Sequence, residues 1–299
     1  MAVERLNKKG IEAMRASCQL AARTLVMVGE HVRPGITTDE INTLVHEFIV
    51  AHDAHPSPLG YRGYPKSVCT SVNECVCHGI PGDYALKDGD IVNVDVTTYL
   101  PKKHGWHGDT SVTFYVGQPS EDAKRVVETA RRALEVGIEQ VRHGARLWDI
   151  GAAIQEFAEG RGCSVVRDYV GHGVGREFHA APQVPHYLPD KRPGMFLGDM
   201  RNIRLKEGMV FTIEPMINLG THACELQDDD WTVLTADRKL SAQFEHTILV
   251  THAGAEVLTA RTEVVKHCED VPWADVGPLS APAAWEARQT PGEGSVVVR

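Results

Sequence analysis

No stretch of about eighteen consecutive apolar residues occurs in the 299-residue chain, so a membrane-spanning helix is not expected. The N-terminal Met-Ala-Val-Glu-Arg-Leu-Asn-Lys-Lys-Gly has none of the apolar core of a secretory signal, and the expected location is the cytoplasm. Positive charge is scarce as well. Against 40 Asp and Glu stand 31 Lys and Arg, giving a net charge of -9, and no long basic run offsets it. That balance argues against a general nucleic-acid or anionic-membrane binder. The seven cysteines (18, 69, 75, 77, 163, 224, 268) are odd in number and irregularly spaced, which fits reduced thiols rather than a disulfide framework. Cys75-Val-Cys77 lacks the second pair that a structural zinc site needs. No residue-level repeat is visible.

What the chain does have is acid in the wrong places. Ile91-Val-Asn-Val-Asp95-Val-Thr-Thr reads as a buried strand, where an ionised carboxylate is costly unless something compensates it. Lys102-Lys103-His104-Gly105 reads as a turn leading into His107-Gly-Asp109-Thr-Ser, so Asp95 and Asp109 would lie on adjacent strands of a hairpin and face one another. The alternative is that Asp109 caps a turn. Met209-Val-Phe-Thr-Ile-Glu214-Pro and Phe244-Glu245-His246-Thr-Ile-Leu-Val repeat the theme of an acid within an apolar strand. Hard oxygen ligands on rigid strands suit divalent cations. Structural ion pairs are the competing explanation, with Arg238 and histidines as the nearby cations. Gly171-His172-Gly-Val-Gly-Arg-Glu-Phe-His179 adds two histidines on a glycine-rich segment, and His78 stands at a Gly-Ile-Pro turn, free to face a cleft.

Ile11, Met14, Cys18, Ala21 and Leu25 predict an amphipathic helix over about 8–30. Thr37-Thr-Asp-Glu40 is a capping box for a second helix. A further helical pair is expected over about 120–142 and 146–160, ending at Gly160-Arg-Gly162. The order helix, helix, strands then occurs twice, which predicts two similar α/β halves.

Tyr64-Pro-Lys-Ser-Val-Cys69, Val76-Cys-His78-Gly-Ile-Pro, Asn93-Val-Asp95, His107-Gly-Asp109-Thr-Ser, Gly171-His172-Gly-Val-Gly-Arg, Thr212-Ile-Glu214-Pro and Ser241-Ala-Gln-Phe-Glu245-His246-Thr follow one another in an order that resembles the type I methionine aminopeptidases. The resemblance covers about 10–260. It implies the pita-bread fold, an α/β (α+β) architecture of two pseudo-symmetric halves whose antiparallel-rich sheet is covered by helices. The domain is expected over 1–264; beyond it the resemblance stops, and 265–299, rich in Pro, Ala, Gly and Glu with little apolar periodicity, reads as a loosely ordered tail. Two divalent ions (Co, Mn, Fe or Zn) would be held, one chelated by Asp95, both bridged by Asp109 and Glu245, the other completed by His172 and Glu214. Glu214 would also shuttle a proton, His179 would steady the developing oxyanion, and His78 would contact the scissile amide. Tyr61, Tyr64, Cys69, Phe178 and Trp231 would line the methionine slot, with a small second residue preferred. The substrates implied are nascent polypeptide N-termini, met by a monomer with no specific nucleic acid or membrane partner; ribosome contact is left open.

The chain departs from the family pattern at three places: a longer loop between Asp95 and Asp109, an insert over about 188–204 expected near the cleft, and the tail. Competing readings are a relative that cleaves beside proline and a metal-free binding module on the same fold.

Overall fold

The computed structural model describes residues 3–189 and 200–261. Within them four helices and fifteen strands alternate in two rounds. The first round runs α1 (Lys8–Gly29), α2 (Thr38–Ala51), β1 (His55–Pro56), β2 (Cys69–Val72), β3 (Cys75–Cys77), β4 (Ile91–Leu100) and β5 (Trp106–Tyr115). In the second round come α3 (Glu121–Glu139), α4 (Leu147–Gly160), β6 (Ser164–Val165), β7 (Gly171–Gly173), β8 (Ala180–Val184), β9 (Val210–Ile213), β10 (Met216–Asn218), β11 (Cys224–Leu226), β12 (Val233–Thr235), β13 (Ser241–Gln243), β14 (His246–Val250) and β15 (Ala255–Val257). All the strand pairs are antiparallel. None of the described helices is long and apolar enough to cross a membrane.

The helices begin where the side chains can cap them. Asn7 accepts from the Gly10 amide at the start of α1, and Thr37 and Glu40 form the expected reciprocal box ahead of α2. Met14, Cys18, Ala21 and Leu25 are fully buried, and each large one contributes roughly 1.5–3 kcal/mol of apolar burial. That stripe lies on the β4–β5 hairpin. Contact is so close that a Cβ on Gly108 would stand 2.4 Å from the Cys18 nitrogen, and Ser17 and Thr98 exchange hydrogen bonds of 2.8–3.0 Å across the gap. In the second half α3 packs on α4 and on β10 and β13. One apolar core, from Leu20 to Val250, joins the helices and sheets of both rounds.

The described ends of the 188–204 insert are anchored by hydrogen bonds to α4. Leu188 N–H donates to Gln155 at 2.9 Å, and Met200 and Asn202 accept from Trp148 at 2.8 and 3.1 Å, so both ends rest on α4. Residues 190–199 and the 265–299 tail lie outside the described residues.

Candidate metal centre

Asp95 and Asp109 come together as the hairpin requires. Register pairs Asp95 with Ser111 and Thr97 with Asp109, which makes the two acids diagonal neighbours on one face. The glutamates need a correction. Glu214 falls between β9 and β10, and Glu245 between β13 and β14. Since β9 pairs with β14 up to Ile213–His246, and β10 with β13 from Met216–Gln243, two antiparallel runs bend together from one sheet to another. Pro215 has no amide hydrogen for a ladder, and the bend releases the acids from the pleat.

The halves are joined at this point by hydroxyls and amides. Thr110 Oγ1 donates to the Glu245 carbonyl (2.7 Å), the Glu245 amide to the Ser111 carbonyl (3.1 Å), and Thr247 Oγ1 to the Asp109 carbonyl (2.8 Å).

One oxygen or nitrogen from each of Asp109, His172 and Glu245 lies within 4.8 Å of the others. His172 Nε2 is 3.6 Å from both Asp109 Oδ2 and Glu214 Oε1. Burial pushes the Asp95 carboxyl up to about 7 and Glu214 to about 8, with the Asp95 charge adding to the latter. Asp109 stands well above the ordinary range, from burial first and then from the charges of Asp95 and Glu214, and Glu245 does so from burial first and then from the charges of Asp109, Glu214 and Asp95. Asp95 Oδ1 is buried without a hydrogen-bond partner. Burial lowers His172 to about 4, leaving a neutral imidazole. Four mutually repelling carboxyls, an orphan carboxylate oxygen and a neutral imidazole form a donor set that fits divalent cations. Arg238, the cation offered by the ion-pair explanation, is committed to Glu225 at 2.7 Å.

Threonines and a glutamine orient the acids. Thr97 Oγ1 donates to Asp109 Oδ1 (2.7 Å), Thr212 Oγ1 to Glu214 Oε1 (2.7 Å), and Gln243 Nε2 to Glu214 Oε2 (3.2 Å). His186, fully buried, accepts the Glu214 amide at 3.1 Å through Nε2. The sequence reading passed over these residues. Thr97 and Thr212 each lie two positions from an acid, so a period-2 count would have put them on its face; Gln243 lies two positions from Glu245 but meets Glu214 instead, and His186 carries no such local mark.

A cavity of about 850 Å³ gathers the rest: His78, His179, Tyr61, Tyr64, Cys69, Phe178 and Trp231 line it together with all five acid and imidazole donors. Tyr64 is buried, and its hydroxyl donates to the Val68 and Gly79 carbonyls. Trp231 stands edge-on to Tyr64 at 5.0 Å and to His78 at 6.2 Å. His78 takes a left-handed backbone (φ 57), and burial lowers its pKa to about 4. His179 is held below its ordinary value by burial first and then by the charges of His172, His78 and Arg62.

The defining pattern of metallopeptidase family M24 matches residues 12–252. The chain belongs to that family. Within M24 it is similar to the methionine aminopeptidase A of Synechocystis, 52% identical over 255 residues that cover 85% of this chain and 96% of the relative. A crystal structure of methionine aminopeptidase from Rickettsia prowazekii superposes with a TM-score of 0.81 at 49% identity, covering 86% of this chain and all of that one. The M24 prolidase-type likeness is looser: the Pyrococcus horikoshii prolidase gives 0.66 at 21% identity, with 87% of this chain and 65% of that chain covered, and shows the fold alone. As an M24 member the chain has the pita-bread architecture that its motifs imply, and it falls with the methionine aminopeptidases.

Proposed function

We propose that this chain removes the N-terminal initiator methionine of proteins and peptides by metal-dependent hydrolysis, preferring a small second residue. The observation that carries the reading is the buried set of Asp95, Asp109, His172, Glu214 and Glu245 inside an aromatic-lined cavity, on a chain about half identical to methionine aminopeptidases. Those five side chains would hold two divalent cations, drawn from Co, Mn, Fe or Zn. Bound there, the cations supply Lewis acidity and lower the pKa of water, so that hydroxide is available at neutral pH.

The chain's own residues do the rest. Glu214, with its oxygens held by Thr212 and Gln243, takes up a proton on its carboxylate and returns it to the leaving amine. His179 donates to the carbonyl oxygen as charge develops, and His78 contacts the scissile amide. Tyr61, Tyr64, Cys69, Phe178 and Trp231 give the methionine a slot of ring and sulfur surface, where each thioether contact is worth roughly 0.3–1.5 kcal/mol. Residues 1–264 act as one catalytic unit. The enzyme is a cytoplasmic monomer that meets nascent N-termini.

Methionine release from Met-Ala-Ser and Met-Leu-Ser is the test, with metal-free protein reloaded with Mn(II), Fe(II), Co(II) or Zn(II). Metal-dependent cleavage of Met-Ala-Ser only, abolished in Asp109→Ala and reduced by roughly 10²–10³ in His179→Ala, is expected. No release with any metal from folded protein would sink the reading in favour of a binding module.

A further inference from the structure

The His179 ring is clamped by three others: its centroid lies 4.1 Å from His172, 4.3 Å from Phe178 and 5.2 Å from Tyr61, the last nearly parallel at 25°. Tyr61 Oη stands 3.0 Å from His179 Nδ1. Tyr61 is itself fixed at both ends of its backbone, its amide donating to the Pro58 carbonyl (2.9 Å) and its carbonyl accepting from the Tyr64 amide (2.9 Å). The hydroxyl and the imidazole nitrogen therefore meet in one geometry.

At pH 8 a histidine with an ordinary pKa near 6.5 is neutral and has a single N–H, on either nitrogen. If that hydrogen sat on Nδ1 and pointed at Tyr61, Nε2 would be an acceptor and could give nothing to an oxyanion. The opposite arrangement is favoured chemically. A phenol is a good donor and, with its lone pair drawn into the ring, a poor acceptor, whereas the bare imidazole nitrogen is a good acceptor. We infer that Tyr61 is a positioning residue, donating its phenolic hydrogen to His179 Nδ1 and so keeping the imidazole hydrogen on Nε2, where it meets the substrate carbonyl. This rests on the aminopeptidase reading and gives Tyr61 a task beyond that of a slot wall.

Two independent readouts test it. Two-bond ¹⁵N–¹H spectra of metal-free, ¹⁵N-histidine-labelled protein at pH 8, with His179 assigned by its loss in His179→Gln, should show the Nε2–H tautomer in the wild type and a mixture in Tyr61→Phe. With Mn(II) and Met-Ala-Ser, Tyr61→Phe should lose about tenfold or more in kcat while KM stays within about threefold, because phenylalanine keeps the wall and removes only the donor. An Nδ1–H tautomer in the wild type, or a Tyr61→Phe protein with unchanged tautomer and unchanged kcat, overturns the inference. Should Tyr61→Phe not fold, the wild-type spectrum alone decides. A wild type that releases no methionine removes the aminopeptidase reading, and the spectrum still decides the tautomer.

Discussion

Thr97 and Thr212 each donate a hydroxyl to a carboxylate oxygen, at 2.7 Å in both cases. A hydroxyl in this position fixes the rotamer of the acid and stabilises its ionised form, and outer partners of this kind typically change metal affinity by about 10- to 100-fold when removed. Thr212→Val keeps the β-branched shape and loses the donor. We expect it to bind Mn(II) at least tenfold more weakly than the wild type in calorimetric titration at fixed pH, with an unchanged circular-dichroism spectrum. Equal affinities would show that the hydroxyl only fills space.

At the scale of elements, the hairpin β4–β5 is where helix and site are tied together. Gly108 lies between His107 and Asp109, and α1 crosses it so closely that the Cys18 nitrogen and the Ser17 carbonyl carbon would each be 2.4 Å from an added Cβ. Both are backbone atoms and cannot swing aside. Gly108→Ala should therefore cost about 1–3 kcal/mol or more, read as a lower urea midpoint at unchanged m-value, and should shift Asp109 with it. Much at this scale was legible beforehand. The α1 stripe, the Thr37 box, both later helices and the Asp95–Asp109 hairpin all follow from spacings of two to four residues. The bends at Glu214 and Glu245 did not, because an apolar run looks the same whether its partners lie in one sheet or change sheets part-way. His186 and Gln243 were hidden for a similar reason: each meets Glu214 from 28–29 residues away in sequence.

For the whole molecule, the buried acids set how the metal-free protein responds to pH. Asp95 is raised from 3.8 to about 7 and Glu214 from 4.5 to about 8, so the folded state holds protons that the unfolded chain has released. That stabilisation is complete below about pH 4 and is lost as pH rises through 7 and 8. His172 and His78, lowered from 6.5 to about 4, act in the other direction, but only between those two values. Above pH 6.5 the carboxyls act alone. The Tm of metal-free protein should therefore fall from pH 6.5 to 8, by an amount set by about 1.4 kcal/mol per pH unit for each group that is protonated folded and ionised unfolded. Divalent metal should remove the fall, and Asp95→Asn should make it shallower, leaving the part due to Glu214. A level scanning-calorimetry profile would mean that the acids ionise freely without metal.

The placement of the acids also sets a condition on whatever is to be processed. Asp109 and Glu245 are 3% and 2% exposed inside their cavity, so a client's first peptide bond reaches them only on a free, extended end of chain. An N-terminus already packed against its own domain has no such end to offer. Processing is thus a race against the client's folding, and its outcome is written into the client's kinetics as much as into the second residue of its sequence.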